Sequence, residues 1–290
     1  MATNYQLGRG ALRPKLAPKV IRLVTIDVDG TLLDSSSSLP PTVREAVNEL
    51  DARGVGVVLA TARSPAALRV VLRELHFVPW LICFSGAWIG ELELRSLTSQ
   101  RAWWEKRHSA SVARWIVETA LANNVEPNVY GLETWRVRTL TREILAESQI
   151  TKTRPAIAAE VLGPNEEPYK ILLVTGEDVA TARLHDIAKL VQSRSTATFS
   201  KPNYLEIIPL GVNKARSLAT LAQLKGIELS QVAAIGDGLN DLEMLQEAGI
   251  GIAMGNAAQE VISAADWITA TNDEGGVAHA VRKLINEGLI

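Results

Sequence analysis

Five short apolar runs constrain this chain most: Ile21–Ile26, Val55–Ala60, Trp80–Phe84, Val232–Ile235 and Ile250–Met254. Each has the length of a buried strand and is too short for a buried helix. Between them the apolar residues fall into helical spacing. Pro40 and Pro41 precede Val43, Ala46, Val47 and Leu50, which share one helical face, and Gly54 is placed to end that helix. Ser64-Pro65 is a helix start ahead of Leu68, Val71, Leu72 and Leu75. Later, Ala215, Leu218 and Ala222 follow Lys214. Leu242, Leu245 and Ala248 follow Asp241, and Val277, Val281 and Leu284 mark a final helix. Asn256 with Gln259 reads as a capping box, and Trp267–Thr269 as a last short strand. This alternation predicts an α/β fold, a Rossmann-like parallel sheet with helices on both faces.

The middle of the chain reads differently. From about residue 87 to 209 the strand patterns are paired by hairpins: Val129–Tyr130 and Trp135–Val137 flank Gly131, and Ser195–Ser200 and Tyr204–Ile208 make a closing pair. The spacing predicts one helix through Val112, Trp115, Ile116 and Ala120. A second, through Ile187, Leu190 and Val191, follows the apolar strand Ile171–Val174. Residues 87–209 are therefore expected to form an α+β domain inserted into a core built from 21–86 and 210–290. A chain of 290 residues has room for both. Trp103, Trp104 and Trp135 in the insert are expected to pack its core, with a substrate-pocket lining as the alternative, and His108 and His185 are expected on its surface rather than as ligands.

Composition excludes several classes of function. A formal net charge of −2 gives no drive toward nucleic acid or a membrane surface. No apolar stretch approaches a membrane span. The single cysteine, Cys83, excludes an intrachain disulfide and a multi-cysteine metal site, reads as a small buried hydrophobe, and fits a reducing, cytoplasmic location. Residues 1–20 carry Arg9, Arg13, Lys15 and Lys19 without an acidic residue and lack a signal-peptide core, so they are expected to form a loose basic arm.

The chemistry concentrates at strand ends. Asp27-Val28-Asp29-Gly30-Thr31 directly follows the first apolar run. Two carboxylates so close repel by about 4 kcal/mol at ~4 Å and an effective dielectric near 20, unless a cation lies between them. Gly30 permits a sharp turn with amide N–H groups free to face an anion. Thr61 follows the second run and offers a hydroxyl and an amide. Ser85-Gly86 follows the third, and Gly236-Asp237-Gly238-Leu239-Asn240-Asp241 follows the fourth. Lys214 stands at a helix start, where ammonium and amides favour an anion. Carboxylates without cysteine or clustered histidine select a hard ion, magnesium first. Singly, each feature has a plainer reading: a turn at Asp29-Gly30, an N-cap at Asp241, caps at Thr61 and Ser64, a solvated Lys214. In order, at successive strand ends, they favour a site.

These motifs resemble the haloacid dehalogenase superfamily of phosphatases, closest to the Cof-like branch, which carries an α/β cap after the third strand. The likeness runs from Ile21 onward and includes Gly249–Asn256 and Glu274-Gly275-Gly276-Val277. It implies that Asp27 is the nucleophile and a magnesium ligand. Asp29 would be the acid–base residue and give the metal its backbone carbonyl, and Asp237 would be a further ligand. Asp241 would hold the metal's water shell or orient Lys214. Thr61, Ala62, Lys214 and Asn240 would grip the phosphoryl group. Two motifs depart from the family: Thr61-Ala62-Arg63 replaces Thr-Gly-Arg, and Ser85-Gly86-Ala87 replaces Asn-Gly-Ala. The implied activity is magnesium-dependent hydrolysis of a small phosphorylated metabolite, such as a sugar phosphate, nucleotide or cofactor phosphate. A non-catalytic phospholigand sensor and a phosphomutase are the alternatives on the same fold. Oligomeric state is left open.

Overall fold

The computed structural model describes residues 20–93, 96, 100–176 and 181–290. The expected basic arm, residues 1–20, lies outside them except for Val20. Six strands form a parallel array: β1 (Leu23–Asp27), β2 (Gly56–Ala60), β3 (Trp80–Cys83), β12 (Val232–Gly236), β13 (Ile250–Ala253) and β14 (Trp267–Ile268). Their order is β14-β13-β12-β1-β2-β3, so the chain leaves β1 toward β2 on one side and returns as β12 on the other. The crevice beyond the carboxyl ends of β1 and β12 is thus a topological switch point, where open α/β sheets bind ligands.

Alternation along β1 explains why this sheet is covered on both faces. Val24 and Ile26 pack with Val43, Val47 and Leu50 of α1 (Pro41–Ala52), with α2 (Pro65–Leu72), and with Val277, Val281 and Leu284 of α9 (Gly276–Asn286). Leu23 packs on the opposite face with Leu218 and Leu221 of α6 (Lys214–Leu224) and Met244 and Leu245 of α7 (Leu242–Glu247). Each such fully buried side chain stabilises the fold by about 1.5–3 kcal/mol. The N-termini follow local chemistry. Ser64 accepts from the Ala67 amide, with Pro65 opening α2, and Asn213 accepts from the Arg216 amide to set the start of α6 beside Lys214.

The first sheet extends further than expected. β4 (Trp88–Leu92) pairs antiparallel with β3, and β5 (Gln100–Glu105) with β4, giving eight strands. Residues 88–105 were expected in the insert, with no strands read there. β3 is an open edge after the parallel array, and the fully buried Trp88 joins the first core when β4 covers that edge. Trp103 and Trp104 therefore belong with the first sheet, and Trp103 meets Trp80 edge to face. The ammonium of Lys225 lies 4.1 Å from the Trp80 ring centre and 3.7 Å from that of Trp103.

A second sheet of six strands has the order β10-β11-β9-β6-β7-β8. It comprises β6 (Pro127–Tyr130), β7 (Trp135–Val137), β8 (Ala156–Ile157), β9 (Lys170–Val174), β10 (Ser195–Lys201) and β11 (Tyr204–Pro209). Gly131 accommodates the expected β6–β7 turn, where its amide donates to the Thr134 carbonyl. One face packs Val129, Ile171, Leu173, Leu205 and Ile207 against α3 (Ala110–Ala122) and α5 (Thr181–Val191). With period two, the other face carries Lys170, Leu172, Tyr204 and Glu206, and these line the cavity beneath it. Trp135 packs as expected, buried and donating to Asn128. His108 does not lie on the surface. It is 2% exposed and hydrogen-bonded to the Ile207 carbonyl, and burial pushes its imidazole down to about 4. Cys83 is fully buried and its thiol is pushed up by burial, so it is inert as expected.

Candidate active site

A cavity of about 380 Å³ lies between the strand ends of the first sheet and the second sheet. Asp27, Asp29, Thr61, Ala62, Asp237 and Asn240 line its floor, and Glu147, Lys170, Lys201, Tyr204 and Glu206 line its roof. Nearly all the expected site residues converge here.

Asp27 ends β1 with its side chain on the Leu23 face, toward α6. There the Lys214 Nζ donates to Asp27 Oδ1 at 2.5 Å and to Asp241 Oδ1 at 2.6 Å. Lys214 is 1% exposed, so it is not a solvated surface lysine. Burial works against its ammonium, but Asp241 and Asp27 together hold it charged well above its ordinary range. The other Asp241 oxygen accepts from the Asp237 and Gly238 amides at 3.2 and 3.0 Å, which fixes the loop after β12. Thr31 donates to Asp237 at 2.8 Å. Gly30 has φ +82°, and a Cβ there would run into the Asp237 carboxylate, so two independent reasons require glycine.

Asp27, Asp237 and Asp241 bring carboxylate oxygens within 4.8 Å of one another. Burial, then the neighbouring Asp241, pushes Asp27 well up, against the pull of Lys214. The same two causes push Asp237 to about 6, with the Thr31 hydrogen bond opposing. Three carboxylates against one ammonium leave two uncompensated negative charges, which a divalent cation would neutralise. All the donors are oxygens, as a hard ion requires. The residues present therefore fit such an ion.

Four details differ from the sequence-based expectations. The Asp29 side chain does not join the carboxylate cluster. It turns to Arg63, which holds it with two hydrogen bonds, Nε to Oδ2 at 2.8 Å and Nη2 to Oδ1 at 2.6 Å. Thr61 offers its hydroxyl but not its amide, which donates to the Ile82 carbonyl. Its hydroxyl oxygen accepts from the Arg63 amide, leaving the O–H proton to donate into the cavity. Asn256 is not part of a capping box. It donates to the Gly30 carbonyl at 2.9 Å and accepts from the Asn272 amide, so it braces the β1 loop across the sheet. Ser85 is buried at φ +53° and donates to Glu206 at 2.7 Å, a link between the two sheets. Ala62 has no positive φ, so alanine fits where the family has glycine. Arg63 and Lys170 had no role in the sequence reading, and Asn256 had only that of a helix cap. The only available signal was the position of Arg63 in Thr61-Ala62-Arg63.

Comparison with known proteins agrees with this geometry. Residues 24–281 match the family described as haloacid dehalogenase-like hydrolase. A Bacillus subtilis protein named 5-amino-6-(5-phospho-D-ribitylamino)uracil phosphatase YcsE is 30% identical over 262 residues, covering 90% of this chain and 95% of that protein. Phosphatase YwpJ from the same organism is 29% identical over 287 residues, covering 91% and 100%. A crystal structure of a haloacid dehalogenase-like hydrolase from Bacteroides thetaiotaomicron superposes with a TM-score of 0.80 at 28% identity, covering 91% of this chain and 99% of that one. One from B. subtilis superposes at 0.82 and 27% identity, covering 91% and 100%. The fold, the strand-end carboxylates and these relatives agree: the chain belongs to the haloacid dehalogenase-like hydrolases, in their Cof-like branch.

Proposed function

We propose that this phosphoric monoester hydrolase is magnesium-dependent, acts on small phosphorylated metabolites, and works through an aspartyl-phosphate on Asp27. The observation that carries the reading is the convergence of Asp27, Asp237 and Asp241 at the switch point of the sheet, with Asp27 and Asp241 sharing one buried ammonium. Asp27, Asp237 and Asp241, with the Asp29 carbonyl, would hold the ion, which when bound supplies the positive charge that lets a carboxylate approach a phosphate.

In the first step an Asp27 carboxylate oxygen forms a bond to phosphorus and the ester P–O bond breaks. The leaving oxygen takes a proton from the Asp29 carboxyl. In the second step water bonds to phosphorus, its proton goes to Asp29, and the bond between phosphorus and Asp27 breaks to release phosphate. Lys214 compensates charge on Asp27, and the Thr61 hydroxyl, the Ala62 amide and Asn240 orient the phosphoryl oxygens. The insert, the sheet β6 to β11 with its helices, serves as a cap. Its roof residues meet the leaving group and its position limits water access.

The roof is mixed in charge, with Lys170 and Lys201 beside Glu147 and Glu206, which suits a hydrogen-bonding leaving group of modest size. The phosphoribityl compound in the name of the B. subtilis relative belongs to that class. Among the described residues no helix is long and apolar enough to cross a membrane. The test is release of phosphate from p-nitrophenyl phosphate and from a panel of phosphorylated metabolites. Turnover is expected with magnesium, none with EDTA, and a loss of at least about a thousandfold in Asp27→Asn. Tight binding of a phosphorylated compound without turnover would support the sensor reading instead.

A further inference from the structure

Arg63 lines the cavity and touches both an expected catalytic group and the cap. It lies on the loop after β2, just past Thr61 and Ala62. Its side chain is 5% exposed, whereas that of Asp29 is 44% exposed. Its backbone is pinned on both sides, the amide donating to Thr61 Oγ1 at 3.1 Å and the carbonyl accepting from the Phe84 amide at 3.0 Å. The guanidinium holds both Asp29 oxygens, and Nη2 also donates to the Ile150 carbonyl at 3.3 Å. Ile150 lies in the last turn of α4 (Arg142–Thr151), a cap helix. Carbonyls there lack an intrahelical partner and carry the negative end of the helix dipole, so a cation is well matched. Next to Arg63, the Ala62 carbonyl accepts from the cap's buried Lys170 at 2.7 Å.

We infer that Arg63 is the positioning residue for Asp29, fixing its carboxyl at the junction of core and cap through a rigid fork anchored on the end of α4. Asp29 is itself too exposed for packing to fix its rotamer. A planar, bidentate guanidinium orients a carboxylate as an ammonium does not. Because the same fork holds the Ile150 carbonyl, the acid–base group is aimed only while the cap is seated. The inference rests on the proposed acid–base role of Asp29.

The test is leaving-group dependence, which a merely structural role would not move. Steady-state kinetics are measured with magnesium on p-nitrophenyl phosphate, whose leaving group departs with little need of a proton, and on the similarly shaped phenyl phosphate, whose leaving group needs one. The variants are Arg63→Met, Arg63→Lys and Asp29→Asn. Arg63→Met is expected to lose about tenfold or more in kcat on phenyl phosphate relative to p-nitrophenyl phosphate, with KM for each ester within about twofold of wild type. Arg63→Lys keeps the buried charge and should show the same split in smaller measure. If Arg63→Met does not fold, the ratio in Arg63→Lys decides. Equal losses on both esters in the Arg63 variants, with a split in Asp29→Asn, overturn the inference and leave the acid–base role standing. No split in Asp29→Asn overturns both.

Discussion

Lys214→Met tests the electrostatics of the site without reference to any substrate. Lys214 is 1% exposed, and its two partners, Asp27 and Asp241, have side chains 8% and 0% exposed. Methionine fills similar space but leaves three carboxylates within 4.8 Å with no cation. One pair of charges at that distance repels by about 3.5 kcal/mol at an effective dielectric near 20. Removing one member of a buried ion pair costs about 3–5 kcal/mol by a separate route. We therefore expect Lys214→Met to lose about 3–5 kcal/mol at pH 7.5 in EDTA, read from urea unfolding followed by far-ultraviolet circular dichroism. The pH dependence has a definite sign. The folded-state values of Asp27 and Asp237 lie above their unfolded ones, so their charged forms penalise the fold at high pH. The penalty is relieved as pH falls through the folded values, near 6 for Asp237. The deficit of the variant should shrink toward pH 5 and also on adding magnesium at pH 7.5. A loss below about 1 kcal/mol, or one indifferent to both pH and magnesium, would refute this account of the cluster.

Two further outcomes follow from the geometry. His108 is buried and neutral, with a folded value of about 4 against an ordinary 6.5. It contributes full stability above pH 6.5 and loses it as pH falls toward 4, by about 3 kcal/mol. The stability difference between wild type and His108→Gln should change by that amount between pH 7 and pH 4, and a flat difference would be contrary. In Gly30→Ala a left-handed backbone and a collision with Asp237 both oppose the new methyl. A loss of about 1–3 kcal/mol is expected in thermal unfolding, together with loss of the magnesium-induced rise in melting temperature. A rise equal to that of wild type would show that the loop does not shape the ion site.

The residues at positions 27, 61 and 237 were legible because strand periodicity places them at the ends of buried runs, and those at 214 and 241 because they stand at the starts of apolar helical patterns. Their convergence then follows from parallel topology. The hairpin β4–β5 was not read from the sequence, and residues 88–105 were assigned with the insert as a block. Which edge they join depends on the exposed side of β3. Asn256 and Gln259 have the spacing of a capping box, yet the long-range hydrogen bond from Asn256 to Gly30 holds the side chain elsewhere. The Asp29 rotamer was hidden for a related reason. Asp29 and Asp27 share a strand end, but Arg63, 34 positions along the chain, offers Asp29 a charged partner that removes it from the carboxylate cluster. His108 gave no periodic signal, and its burial follows from contact with β11.

Trapping the covalent intermediate tests the nucleophile most directly. Enzyme turning over p-nitrophenyl phosphate with magnesium is quenched into borohydride, which reduces an acyl phosphate to the alcohol, and peptides are sequenced by mass spectrometry. The account predicts homoserine at position 27, with positions 29, 237 and 241 unchanged. Turnover with an unmodified Asp27, or reduction at another carboxylate, would contradict it.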